Sequence, residues 1–209
     1  MNNTLNTIFL IAKRNPVRLS KIVLRRLGLK IDTGMRYGTE KEMLALRKYA
    51  SLSTIGIVEI GVLDGGTTRE MALVANVPIY GIDPIIPDSM EKTLIGHEDL
   101  IKKNLKFYKK FYFIKDYSFN VIKKWHSSFD LIWIDGDHQY EACKKDFDDW
   151  FPHLTHGGVI SFHDSAPVIS FNSKHIGYPG PIRLVSELKK DPRLTYLETI
   201  DSITFFKKI

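Results

Sequence analysis

One cysteine stands in 209 residues, so no intramolecular disulfide framework can hold this chain together. Cys143 therefore reads as a small helix residue, and a single unpaired thiol fits a reducing cytoplasm. No long apolar run is present either. Ile8-Phe9-Leu10-Ile11-Ala12 is followed at once by charge and Pro16, with no small-residue cleavage site. A membrane-spanning helix needs about 20 apolar residues, so a transmembrane reading is excluded. No internal repeat or low-complexity stretch occurs. Hydrophobic residues make up 44% and charged residues 26%, a balance that excludes disorder and allows one domain with a sizeable core.

Acidic residues are missing from residues 1–31, which hold Lys13, Arg14, Arg18, Lys21, Arg25, Arg26 and Lys30. The remainder has 23 basic against 24 acidic residues, so the net charge of +6 belongs to the arm. A near-neutral body argues against a nucleic-acid-binding face. The expected organisation is a basic helical arm over 1–34 and one domain over 35–209. The arm reads in two ways: as a helix packed on the domain or on a second subunit of a homodimer, or as a peripheral membrane contact through residues 1–31.

After the glycines at 34 and 38, Thr39 with Glu42 has the spacing of a helix capping box, and the helix runs to about Ala50. Short apolar runs then alternate with helix-length segments. The runs are Ile55–Ile60, Pro78–Ile82, Lys110–Lys115, Phe129–Ile134 and Gly158–Phe162. They show little period-2 alternation, as strands covered on both faces do. Helices are expected at Thr67–Ala75, Ser89–Asn104, Ser118–Trp125, Tyr140–Trp150 and Ile182–Lys190. Thr195–Thr199 and Ser202–Lys207 are too close for a crossover and predict an antiparallel hairpin. The fold expected is a Rossmann-like α/β doubly wound sheet, mostly parallel with a C-terminal antiparallel hairpin strand.

Ligands in such sheets bind beyond the carboxyl ends of the strands, so the residues after each strand carry the functional information. After the first come Glu59 and the loop Gly61-Val62-Leu63-Asp64-Gly65-Gly66, which turns tightly into a helix. Its spacing is neither Gly-x-Gly-x-x-Gly nor a phosphate loop ending in Gly-Lys-Ser/Thr. The acid before it repels a pyrophosphate and suits a cationic ligand, such as a sulfonium with an α-amino group. Asp83 follows the second strand at the interval where an acid binds ribose hydroxyls. After the third, Asp116 can accept from an adenine amino group, and Ser118 can bond the ring edge or cap the next helix.

The fourth tip, Asp135-Gly136-Asp137-His138, and the fifth, His163-Asp164, should face one cleft. Asp135, His163 and Asp164 offer O, N and O ligands to a divalent cation such as Mg2+. Asp137 or His138 then takes the proton of an acceptor hydroxyl. The metal-free alternative makes His163 or His138 itself the base. The loop Ser165–Pro181, with its glycines and prolines, reads as a lid or pocket rim where His175 and Tyr178 can meet substrate.

Together these residues resemble a class I S-adenosylmethionine-dependent methyltransferase. The nearest likeness is to the macrocin-type sugar O-methyltransferases and the catechol O-methyltransferases, over about residues 35–209. The likeness is carried by Glu59-x-Gly61-x-x-x-Gly65-x-Thr67, by Asp83, and by Asp135-Gly-Asp-His-x-Tyr140. Asp146, Trp150, Leu154, Gly157-Gly158 and His163-Asp164 extend it. It implies S-adenosylmethionine bound by Glu59, Gly61, Gly65, Thr67, Asp83, Asp116, Ser118 and Asp135, with Asp137 in the position of the proposed base. No Asn/Asp-Pro-Pro-Tyr, a motif of amine methylation, is present, which favours oxygen as the acceptor atom. His163 departs from the acid usual in metal-dependent relatives. The acceptor expected is a small-molecule or glycan hydroxyl. Two other readings stay open: a metal-dependent hydroxylase-like oxidoreductase of the same superfamily, and a non-catalytic S-adenosylmethionine-binding module.

Overall fold

The computed structural model describes residues 38–87, 89, 95–170 and 173–209. The expected basic arm lies outside the described residues.

Thr39 opens the first helix, α1 (Glu40–Leu52), with the capping box its spacing predicts: its hydroxyl accepts from the Glu42 N–H, and the Glu42 carboxylate accepts from the Thr39 N–H. The chain then alternates strand and helix. In order come β1 (Ile57–Ile60), α2 (Gly66–Ala72), β2 (Ile79–Ile82), α3 (Glu98–Leu105), β3 (Phe111–Ile114) and the single turn α4 (Ser118–Val121). These are followed by β4 (Phe129–Ile134), α5 (Tyr140–Trp150) and β5 (Leu154–Phe162). A short pair, β6 (Val168–Ser170) and β7 (Ser173–His175), precedes α6 (Pro179–Leu188) and the closing strands β8 (Leu194–Ile200) and β9 (Ile203–Lys208).

The main sheet has the order β3-β2-β1-β4-β5-β9-β8. β1 to β5 are parallel, while β9 runs antiparallel to β5 and β8. Strand order reverses between β1 and β4, which places a crevice above their carboxyl ends. The expected Rossmann-like sheet with its antiparallel hairpin is the fold observed. One apolar cluster on a face of the sheet is built around Ile132, Trp150, Phe162 and Phe206. On the other face Leu46, Met71, Trp133 and Phe205 form a second. The sheet is thus covered on both sides, which is why β1 and β4 are mostly apolar with little period-2 alternation.

The expected elements differ from the structure in three places. Of the helix expected over Ser89–Asn104, residues 90–94 lie outside the described residues, and α3 begins at Glu98 after His97 in extended backbone. β5 starts at Leu154, ahead of the Gly157-Gly158 pair, because Leu154 pairs with Phe129 across an irregularity in the ladder. The Ser165–Pro181 loop is not wholly irregular: β6 and β7 form an antiparallel ribbon within it, and α6 starts at Pro179. Proline is at home in a first helical turn, where its missing N–H has no intrahelical role.

Candidate active site at the carboxyl tips of the sheet

The glycine loop is clamped from several sides. Gly61 has φ +89°, and a Cβ there would lie 2.1 Å from the Asp135 carbonyl oxygen. Only glycine lets the β1 and β4 tips approach this closely. The Asp83 carboxylate accepts the Val62 and Leu63 N–H groups at 2.9 and 2.8 Å with one oxygen, and the Ile85 N–H at 2.7 Å with the other. Asp83 therefore ties the β2 tip to the loop. Leu63 (φ 53°) and Asp164 (φ 51°) are left-handed non-glycine residues at the tips of β1 and β5. Strain held by surrounding structure concentrates at functional sites.

Glu59 is completely buried at the end of β1. One of its oxygens accepts the Thr68 hydroxyl, while Oε1 has no hydrogen-bond partner. Burial pushes its carboxyl well above the usual carboxylate range. The Thr68 hydrogen bond opposes that shift, and the charges of Asp135 and Asp83 add to it. Three carboxyl groups thus converge at three adjacent strand tips, one with an oxygen awaiting a donor. Thr68 escaped the sequence reading, which singled out Thr67. Both are buried, and only the helix phase shows which hydroxyl faces the strand.

The third tip behaves differently from expectation. Asp116 is exposed and accepts from the Tyr117 N–H and from Asn120 Nδ2. Ser118 makes no cap. Tyr117 occupies the N-cap without a side-chain bond, and the Ser118 hydroxyl donates to Asp146. Asp146 projects from α5 and is buried, so the nearest strong acceptor claims the hydroxyl.

The fourth and fifth tips do meet in one cleft, lined by Asp135, Gly136, Asp137, His138, Cys143, Phe162, His163 and Pro181. Donor atoms of Asp135, His138 and Asp164 lie within 4.8 Å of one another, a set able to hold a cation among the described residues. His138 joins the expected Asp135 and Asp164 in this set. The His138 Nε2 is 3.3 Å from Asp164 Oδ2 and 3.8 Å from Asp135 Oδ1, and its ring stacks on Tyr178 at 4.2 Å. His163 sits 2.9 Å from Asp135 Oδ1 through Nδ1, against the Trp133 ring. The same Nδ1 is 3.5 Å from Asp164 Oδ1, so both histidines reach the same two carboxylates. Burial disfavours charge on both rings, but the surrounding carboxylates outweigh it. They push His138 up to about 10 and His163 up to about 9. Asp137 accepts from Ser89 Oγ and the Gln139 N–H, pinning the turn into α5. The His175 side chain lies outside the described residues.

Behind Asp164 runs a buried polar chain with no motif to announce it. Glu42 Oε1 accepts the Ser202 N–H at 2.7 Å and the Ser202 hydroxyl at 2.5 Å. The Ser202 carbonyl accepts the Ser165 N–H at 2.9 Å. Thr39 Oγ donates to Asp201 at 2.6 Å. The cap of α1 thereby braces the β8–β9 turn, and that turn braces the residue after Asp164.

Fold and site together define an α/β domain whose strand tips combine a glycine loop, the Asp83 carboxylate and an acidic, histidine-bearing cleft. A family model described as a methyltransferase domain matches residues 58–165, about half of the chain. The chain belongs to that methyltransferase-domain family. An uncharacterized protein of Acanthamoeba polyphaga mimivirus is 32% identical over 117 residues, covering 51% of this chain and 50% of that protein. The match thus spans only half of that relative's length. Among solved structures, an O-methyltransferase from Bacillus cereus in complex with SAH has a TM-score of 0.61 at 16% identity, over 97% of each chain. Cofactor-bound Rv0187 from MTB has a TM-score of 0.63 at 15% identity, over 96% of this chain and 94% of that one. At such identities the likeness concerns the fold.

Proposed function

We propose that this chain is an S-adenosylmethionine-dependent O-methyltransferase acting on a small-molecule or glycan hydroxyl. One observation carries the reading: Glu59, buried with a free Oε1, converges with Asp83 and Asp135 beside the glycine loop. A phosphate-bearing dinucleotide is repelled by such a cluster, whereas a ligand with an ammonium and a sulfonium is attracted. The SAH bound by the Bacillus cereus structure supports the same cofactor class.

In this reading Glu59, Gly61, Gly65, Thr67 and Asp135 receive the amino-acid end, Asp83 the ribose, and Asp116 with Ser118 the adenine. When bound, the cofactor supplies an electrophilic methyl group on sulfur. Asp135, His138 and Asp164 would hold a divalent cation, which would lower the pKa of an acceptor hydroxyl near it. His163 holds the Asp135 carboxylate in place, and Asp137 at the cleft wall takes the hydroxyl proton. Without a cation, Asp135 and Asp164 hold His138 protonated, so the base role stays with Asp137. Most of the acceleration then comes from positioning and deprotonation.

Calorimetry with S-adenosylmethionine tests the cofactor: wild type should bind it, and absence of binding at saturating ligand sinks the reading. A methyl-transfer screen against sugar nucleotides, glycolipids and catechols, with and without magnesium, tests the acceptor and the cation together. No helix of the described residues is long and apolar enough to cross a membrane. Residues 1–31, with seven basic residues and no acid, fit a peripheral membrane contact.

A further inference from the structure

We propose that the end of the sheet opposite the site is a docking face for an anionic lipid surface. Ile57 is in register with Ile79 and Leu131, and Ile79 with Phe111. The connections that enter β1, β2, β3 and β4 therefore line up along one edge, away from Glu59, Asp83 and Asp135. Three neighbouring connections each present apolar side chains to water: Leu52 and Ile55 before β1, Leu73 and Val74 before β2, and Phe107 before β3. Phe107 is 80% exposed, Leu52 67% and Leu73 57%. Single exposed apolar residues are ordinary, but a row of them on adjacent loops marks a contact surface.

The charge beside the row names the partner. Lys106, Lys109 and Lys110 flank Phe107, all exposed. Lys106 Nζ lies 4.6 Å over the Phe107 ring. Lys110 Nζ bonds the Asn76 carbonyl at 2.5 Å, which joins the β3 connection to the one carrying Leu73 and Val74. Asp130, at the same end, is already occupied by Ser53 Oγ and the Thr54, Ile55 and Gly56 N–H groups. A second copy of this face brings like charge and does not complement it. Nucleic acid rewards aromatic faces, yet four of the five exposed apolar residues are aliphatic. Lysines around aliphatic side chains and one phenyl ring match lipid headgroups over acyl chains. A four-residue strand at about 3.3 Å per residue sets the crevice roughly 13 Å above this face. Docking here leaves the site open to the aqueous side.

The test uses the full chain and does not depend on methyl transfer. Cys143, the single cysteine, is buried, so Phe107→Cys can carry a polarity-sensitive fluorophore at one place. Vesicles of phosphatidylcholine with phosphatidylglycerol should move its emission to shorter wavelength and raise it several-fold. Pure phosphatidylcholine should not, and high salt should reverse the shift. The triple change Lys106→Glu, Lys109→Glu, Lys110→Glu should weaken partition at least tenfold. An unshifted label on chain that co-sediments with the vesicles overturns the proposal. A shift produced by single-stranded RNA and not by vesicles, or by protein concentration alone, also overturns it. If Phe107→Cys does not fold, Val74→Cys gives the same readout from the neighbouring loop.

Discussion

Replacing Gly61 by alanine separates two costs that the structure superimposes at one position. The residue has φ +89°, and an added Cβ would meet the Asp135 carbonyl oxygen at 2.1 Å, its carbon at 2.6 Å and the Gly136 nitrogen at 2.9 Å. All three are backbone atoms, so no side chain can swing aside. A non-glycine residue in this conformation costs about 1–3 kcal/mol, and forced repacking adds about 1–3 kcal/mol. Gly157 calibrates the first term. It has φ +80°, but its nearest neighbour is Lys207 Cε at 3.7 Å, the movable end of a flexible side chain. Gly157→Ala should therefore show strain alone, and Gly61→Ala strain plus collision. With about 2–4 °C of melting temperature per kcal/mol in a domain of this size, Gly61→Ala should melt roughly 5–20 °C below wild type. Gly157→Ala should fall between the two. Because the collision pushes apart the β1 and β4 tips, cofactor affinity by calorimetry should also drop more than tenfold in Gly61→Ala only. Equal melting temperatures for the two variants would refute the close approach of the tips.

Asp83→Ala releases the Val62, Leu63 and Ile85 N–H groups as well as a ribose acceptor, and calorimetry should show at least tenfold weaker S-adenosylmethionine binding. Unchanged affinity overturns the ribose assignment. Burial pushes the Asp146 carboxyl up to about 6 against the pull of the Ser118 hydroxyl, with Asp149 and Asp137 adding to the rise. The folded state thus binds this proton more tightly than the unfolded chain, and stability should fall as pH rises from about 4 through 6. Asp146→Asn removes that slope and should gain up to about 3 kcal/mol over wild type above pH 6; parallel urea-melt curves across pH would contradict this. Glu42→Gln turns an NH2 toward groups that already donate, at Thr39 or Ser202. It should cost about 1–3 kcal/mol and weaken divalent-cation binding through Ser165 and Asp164. Calorimetric titration with Mg2+ that matches wild type would leave the brace a purely structural feature.

Strands were legible because burial on both faces makes β1 and β4 mostly apolar, and α5 because its bounds follow the Trp150 and Phe147 face. The start of α3 at Glu98 was marked only by Gly96, whose close approach to the Leu63 backbone shows in three dimensions alone. β6 and β7 were hidden in a segment whose glycines and prolines suggest irregular chain, although three residues on each side suffice for a ribbon.

The order of strands and helices, the glycine loop and the acids after each strand were determined by the sequence itself. Those features rest on local rules: period, turn chemistry and the place where a parallel strand ends. The assignment of partners was decided only in three dimensions. Thr68 and not Thr67 reaches Glu59, Ser118 turns to Asp146, and His138 and His163 both close on Asp135 and Asp164. Each choice depends on distances of about an ångström between residues far apart in the chain, such as Glu42 and Ser202, and spacing along one chain carries no record of such distances.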